Sequence, residues 1–250
     1  MTRNVYHISF FAVRPEFRGR GASTAVWRAQ LRELRAAQTP ITFFASAGEA
    51  GESILISGLK TAGFTHIPLG ACYCYGGLAR SQRPDTVVAE AVTHDEELTS
   101  IFSHGDAPGM LWSNPTPQQL AHYRRDPRGG VLAVIRPAAG QPAQGGLRIV
   151  RFEMIHSDGT TYSTAIDSLH LAAPSAEHLT AAVQLASRLW PDRVSSPVVI
   201  GPNLSGISPI VLQRAGLRQL PGALVYNAHL FTPSANDPWL AARFTNLEVL

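Results

Sequence analysis

The sequence predicts an α/β fold with a mixed α+β sheet, laid out as one partial and one fuller copy of a related unit in tandem. Three observations predict it. Residues 5–76 alternate strand and helix signals. The segment AGFTHIPLGACY recurs downstream as AGLRQLPGALVY. One strand runs through a glycine-punctuated turn straight into a helix.

Residues 5–13, VYHISFFAV, read as a strand because aromatic and β-branched residues dominate them. Pro15, Gly19 and Gly21 end it. Residues 22–37, ASTAVWRAQLRELRAA, then space Val26, Ala29 and Leu34 as a helical face. ITFFAS (41–46) is a second buried strand, and GESILISGLKTAG (51–63) a helix closing on a terminal glycine. Residues 67–76 form the next strand, and the polar stretch with Ser81 and Pro84 reads as a linker.

Beyond the linker, VVAEAV (87–92) reads as a strand, DEELTSIFS and TPQQLAHYRRD as helices, and GGVLAVIRP as the start of a hairpin. GLRIVRFEMIHSDGTTYSTAIDSLHLA supplies two strands around a Ser-Asp-Gly turn. SAEHLTAAVQLASRLW (175–190) opens on a serine N-cap and lines up Leu179, Val183 and Ala186. The tail TPSANDPWLAARFTNLEVL reads as an exposed linker with a short docking helix, or as a packing arm for a dimer.

The internal echo is free of gaps. Gly63 falls on Gly216, Pro68 on Pro221 and Tyr73 on Tyr226, each 153 positions on. Two copies of a supersecondary unit explain this spacing better than a solenoid does. The expected layout is a partial domain at 1–80, a fuller degenerate one at 86–232, and a tail at 233–250.

Composition narrows the function classes. Of the 250 residues, 45% are hydrophobic and 16% charged, which is a globular balance. No apolar run is long enough to cross a bilayer, and residues 1–17 lack a leader's apolar core, so a cytoplasmic protein away from membranes is expected. The net charge of +3 is carried almost wholly by arginine, with Lys60 the lone lysine, as GC-rich bacterial coding produces. The basic residues are scattered, so nucleic acid is not an expected partner. Cys72 and Cys74 lie one residue apart on a strand and read as buried thiols. His170 and His178 have no acidic partner at ligand spacing, and no metal site is expected.

The chemistry sits in FFAVRPEFRGRGASTAVW. Free backbone N–H groups at a helix N-terminus, aided by the helix dipole, bind anions. Gly19 and Gly21 let the backbone approach a phosphate, and Arg18 and Arg20 add positive charge there. The spacing lacks the third glycine of a nicotinamide fingerprint and the lysine of a nucleoside-triphosphate loop.

VRPEFRGRGAS resembles the signature of the acyl-CoA-dependent N-acyltransferases of the GNAT superfamily, V-x-P followed by [RQ]-x-x-G-x-[GA]. Val13, Pro15, Arg18 and Gly21 match, while Ser23 stands at the last small position. AGF (62–64) resembles the family's Gly-Phe at the end of the next helix. The resemblance implies acetyl-CoA or another acyl-CoA as co-substrate. It implies that Arg18, Gly19, Arg20, Gly21, Ala22 and Ser23 hold the pyrophosphate, and that Phe11, Ala12 and Val13 hydrogen-bond the pantetheine arm. A small-molecule amine is the implied acceptor.

Several family positions differ. The usual acidic places on the first strand are His7 and Ser9. His7 is a candidate base or a structural strand histidine, and Ser9 a candidate to position water or acceptor. The family's acid, a tyrosine, falls on Leu59; Tyr73 or Tyr75 is the candidate substitute. In the second copy the loop position reads HLAAPSAEHL, where Pro174 removes an amide and Glu177 repels phosphate. That copy is expected to have lost its coenzyme site and to brace the first. The strands and helices that the family places before residue 5 are expected either to be encoded further upstream or to be missing from a true half-domain, and in the second case the second copy or another chain covers the sheet edge. A homodimer is therefore kept open, and residues 105–119 with Trp112 are a candidate acceptor wall or a plain connection. A coenzyme-binding scaffold without turnover is the alternative to an enzyme.

Overall fold

The computed structural model describes residues 5–8, 14–46, 48, 50–78, 87–93, 96–103, 110–112, 115–171, 173–190, 198–200, 207–241 and 243–246. In chain order the elements are β1 (Tyr6–Ile8), α1 (Ala22–Ala37), β2 (Ile41–Ser46), α2 (Ala50–Thr61), β3 (Phe64–Cys72) and β4 (Tyr75–Gly77). Then come β5 (Val88–Ala91), α3 (Glu96–Ser103), β6 (Met110–Trp112), α4 (Pro117–Arg124), β7 (Val131–Arg136), β8 (Gly145–His156) and β9 (Gly159–Leu171). The chain ends with α5 (Ala176–Arg188), β10 (Val198–Ile200), α6 (Pro209–Arg214), β11 (Arg218–Gln219), β12 (Leu224–Phe231) and β13 (Arg243–Asn246). They group into two compact units that are not contiguous in sequence. The first holds Met1–Ala71 and Gly222–Arg243, the second Cys72–Pro221 and Phe244–Leu250.

In the first unit the sheet order is β1-β2-β12-β3. β1 and β2 run parallel, with Tyr6 opposite Ile41 and Ile8 opposite Phe43. β12 lies antiparallel to β2, from Leu224 opposite Ser46 to His229 opposite Ile41. Both helices serve one core made of Ile8, Leu34, Ile41, Phe43, Leu59 and Phe64. Truncating a side chain as buried as Phe43 costs about 3–5 kcal/mol.

The helical face expected on α1 is shifted. Val26 is 55% exposed, and the residues turned to the core are Trp27, Leu31 and Leu34, at i, i+4 and i+7. Trp27 wins this place because α2 presents a glycine to it. A Cβ on Gly58 would lie 2.7 Å from the indole Nε1. The strand expected at 67–76 starts earlier, at Phe64, and stops at Cys72; the chain then resumes as β4 in the other unit's sheet.

In the second unit the order is β11-β4-β10-β9-β8-β7-β5. The β8–β9 hairpin pairs from Gly145–Leu171 to His156–Gly159, around the turn read from Ser-Asp-Gly. Alternation along the strands serves two layers. Ala133, Leu147, Ile149 and Ile166 pack with α5 and α6, whereas Leu132 and Val134 pack with Leu98, Leu120 and Tyr123 of α3 and α4. A capping box between Thr116 and Gln119 starts α4.

One residue breaks the ladder. Arg148 faces Ser168 and Ile149 faces Ile166, so Asp167 is the extra residue of a bulge. β10 pairs with β9 only over Thr164–Ile166, stopping where the bulge begins. The bulge turns Asp167 onto the buried Arg148 guanidinium, which also binds Asp126 at 2.8 Å and lies over the Tyr123 ring. Arg128 is the main partner that holds the Asp126 carboxyl well below the usual range.

In the tail the chain makes a one-turn 3-10 helix at Pro238–Ala241 where a docking helix was expected. Trp239 is buried there, and β13 follows to pair with β6.

Candidate functional site

The segment between β1 and α1 is built to leave helix amides open. A 3-10 turn at Pro15–Phe17 is followed by Arg18 and Arg20, whose N–H groups donate to the Pro15 and Phe17 carbonyls at 3.2 and 3.4 Å. Gly19 and Gly21 both have φ near +74°, the left-handed region that a side chain strains. Open space surrounds both, so backbone conformation rather than crowding selects glycine there. Gly21 is the N-cap and offers no side-chain cap. The first helical bond runs from Ala25 N–H to Gly21 O at 3.0 Å. The N–H groups of Ala22, Ser23 and Thr24 therefore have no partner within the helix. Residues 14–21 are exposed, and α1 has no acidic residue in its first turn. Chemically this is an anion cradle with two arginines beside it.

The corresponding start of α5 differs. The Ser175 side chain accepts the His178 N–H at 3.2 Å, and Glu177 lies in the first turn. His178 in turn lies 3.0 Å from the Gln144 side chain and 3.1 Å from the Ala173 carbonyl.

His7 sits on β1 in the same unit as the cradle. Its Nδ1 is 2.9 Å from Thr42 Oγ1, its direct cross-strand partner, and its ring stacks on Phe44 at 5.7 Å. Nε2 is buried without a hydrogen-bond partner. Burial pushes the His7 pKa down, so the ring is neutral near pH 7. Ser9, Phe11, Ala12 and Val13 lie outside the described residues, as do 105–109, 113 and 114; the rest of the 105–119 segment holds β6 and the start of α4. Leu59 is fully buried in the core, so no acid comes from that place. Tyr73 is 42% exposed and groups with the second unit, whereas His7 and the cradle group with the first.

Two features escaped the sequence reading. Thr42 drew no notice within ITFFAS, although strict alternation puts it on the face away from Ile41 and Phe43. The second is a buried polar group on the helix-covered face, where His66 Nε2 lies 2.7 Å from Asn227 Oδ1 and stacks on His229. No local pattern announces a contact between residues 161 apart.

Among the described residues no group of three or more His, Cys, Asp or Glu is placed to hold a metal ion. None of their helices is long and apolar enough to cross a membrane. A surface cavity of about 430 Å³ lies in the second unit, lined by Gln213, Gly216, Leu217, Arg218 and Gln219, none of which belongs to the cradle.

No protein-family model matches the sequence, and no curated protein matches it at a significant level. Solved structures do match. Saccharomyces cerevisiae N-myristoyltransferase with bound myristoyl-CoA is 8% identical, with a TM-score of 0.56 over 89% of this chain and 61% of that one. A protein of Enterococcus faecalis V583, described as a probable N-acyltransferase, is 13% identical with a TM-score of 0.51, over 91% and 54% of the two chains. A GCN5-related N-acetyltransferase from Kribbella flavida is 16% identical with a TM-score of 0.50, over 86% and 77%. The chain thus has a GNAT-like mixed α/β fold. It spans little over half of the Enterococcus protein and about three fifths of the myristoyltransferase.

Proposed function

We propose that the chain is an N-acyltransferase that moves an acyl group, acetyl or longer, from acyl-CoA to the amine of a small molecule. One observation carries this reading: the open, glycine-capped start of α1 with Arg18 and Arg20 beside it, on the first helix after the strand that holds His7. The GNAT-like fold supports it by analogy only.

In this mechanism the N–H groups of Ala22 and Ser23, with Arg18, Gly19, Arg20 and Gly21, hold the coenzyme pyrophosphate. Phe11, Ala12 and Val13 bind the pantetheine arm. The amine nitrogen attacks the thioester carbon, the C–N bond forms and the C–S bond breaks. His7 Nε2 accepts the proton that the nitrogen sheds, and the departing thiolate takes up one proton to leave as free thiol. The Thr42 hydroxyl beside Nδ1 steadies the ring and leaves Nε2 as the nitrogen for that proton. Ser9 positions the acceptor and Tyr73 supplies a proton in the fullest version of this reading.

In this reading the sequence carries two versions of one strand–helix unit, a partial copy at 1–80 and a fuller one at 86–232, each of which gives one strand to the other's sheet, so that the sequence copies and the two compact units do not coincide. Support comes from matching orders: β1-β2-β12-β3 in one sheet and β9-β10-β4-β11 in the other. In each, the strand after β3 or β11 has left for the other sheet. Gly63 and Gly216 match as well, with φ of 92° and 87° and N–H bonds to Lys60 O and Gln213 O. A cytoplasmic site of action and a homodimer remain part of the proposal.

The alternative, a coenzyme-binding protein without turnover, draws support from Leu59 at the family's acid position. Isothermal titration with acetyl-CoA and desulfo-CoA decides first. Micromolar binding that vanishes in an Arg18→Glu/Gly21→Glu variant supports the cradle, and thiol release in an amine screen then separates enzyme from binder. Absence of binding to the intact chain overturns both.

A further inference from the structure

β12 is the strand that the first unit takes from the far end of the chain, and it lies between β2 and β3. Its last residue paired with β2 is His229, whose exposure is 0%. Rings from the two flanking strands stack on it. Phe43 of β2 is 5.4 Å away at 19°, and His66 of β3 is 4.9 Å away at 26°. Neither ring nitrogen of His229 has a hydrogen-bond partner, and the Asn227 Nδ2 two residues earlier is also unpartnered. The charged or titratable groups facing it among the described residues are His66 from β3 and Lys60 from α2, both of which oppose a positive charge. β2 contributes the apolar Ile41 and Phe43, and β12 itself the neutral Asn227.

A neutral imidazole fits this place as a flat, half-apolar spacer. An imidazolium there is sealed from bulk solvent, and among the described residues no acceptor or carboxylate is bonded to either ring nitrogen. We propose that His229 is an acid-sensitive clasp: neutral, it holds β12 in the first unit's sheet, and protonated, it drives β12 out, separating β2 from β3 beneath the unit that carries the anion cradle. This inference stands on the fold alone and does not depend on the acyltransferase reading.

The sign follows from burial. Desolvation, then His66, then Lys60 hold the ring's pKa down at about 3, against 6.5 for a free histidine. The folded value is depressed, so the clasp is fully closed above pH 6.5 and loosens as pH falls toward 3. Taking up one proton on opening raises the open fraction about tenfold per pH unit in that window.

Hydrogen exchange of the intact chain, corrected for intrinsic rates and read on peptides covering Leu224–Phe231, tests this between pH 7.5 and 4.5. The expected result is opening that grows about tenfold per unit below pH 6 and is flattened by His229→Phe, which keeps the stack without the proton. An identical pH profile in His229→Phe overturns the clasp. Should that variant fail to fold, a ¹³C NMR titration of His229 in the unaltered chain serves instead. A folded-state pKa well below 5 supports the clasp, and one near 6.5 overturns it.

Discussion

The starts of α1 and α5 occupy like places, each following a strand that pairs parallel with the strand after the helix. They differ in what fills the first turn. At α1 a glycine in the left-handed region ends the loop and leaves the amides bare; at α5 a serine oxygen already occupies an amide and a glutamate sits alongside. Every helix start carries bare amides and a positive dipole end, so topology alone makes no anion site. Cap chemistry decides. Ser175 contributes about 1 kcal/mol to its own helix and in doing so removes the donor that an anion needs. Gly21 leaves that stabilisation unused and keeps the site open.

The strongest way to break the contrast is to give α1 the wrong charge. Arg18→Glu/Gly21→Glu removes one cation, adds two anions and strains a backbone at φ 74°, and coenzyme binding by calorimetry is expected to fall about 100-fold or more. Acid offers a comparison of stability between units. Burial holds His170 in the second unit at a pKa of about 3, a depressed folded value whose stabilisation is complete above pH 6.5 and lost on acidification. By pH 5 this ring should cost the second unit about 2 kcal/mol by denaturant titration, and His170→Gln should remove that share of the pH slope and leave the share due to His229.

Smaller changes sharpen the comparison. Gly21→Ser imports the α5 cap into a strained position and should weaken coenzyme binding about tenfold without loss of secondary structure by circular dichroism. Thr42→Val should lower kcat about tenfold with KM unchanged and shift the acidic limb of the pH profile, which reports the base, while Thr42→Ser restores both. Ser175→Ala should cost the second unit about 1 kcal/mol by denaturation and leave coenzyme affinity unaltered. A gain of binding in that last variant would show that the cap alone had closed α5, despite Pro174 and Glu177.

Much of this layout was legible in the residues. Helices at 22–37 and 175–188, the strand at 41–46, the hairpin around Ser-Asp-Gly and the serine cap of α5 follow from local spacing and local hydrogen bonds. The bare amides of the cradle were legible for the same reason, since two glycines and a proline dictate that backbone over a few residues. The α1 face was misread, with Val26 in place of Trp27, because the inward face depends on Gly58 of a different helix. The company of His7 was not legible either. Its bond to Thr42 needs the register of β1 against β2, and its neutral ring needs the burial that register creates.

The sequence by itself determined where most helices and strands lie, which helix start has a bare glycine cap, and which is closed by a serine side chain. Each of these is settled within one or two turns of chain, where backbone dihedrals and caps act directly. Only the tertiary structure decided that β12 enters the first sheet between β2 and β3, and that β4 enters the second between β10 and β11. It alone decided that His229 is sealed between Phe43 and His66. Those outcomes join residues more than 120 positions apart, and strand order depends on which edges and apolar faces can be satisfied together rather than on any local preference.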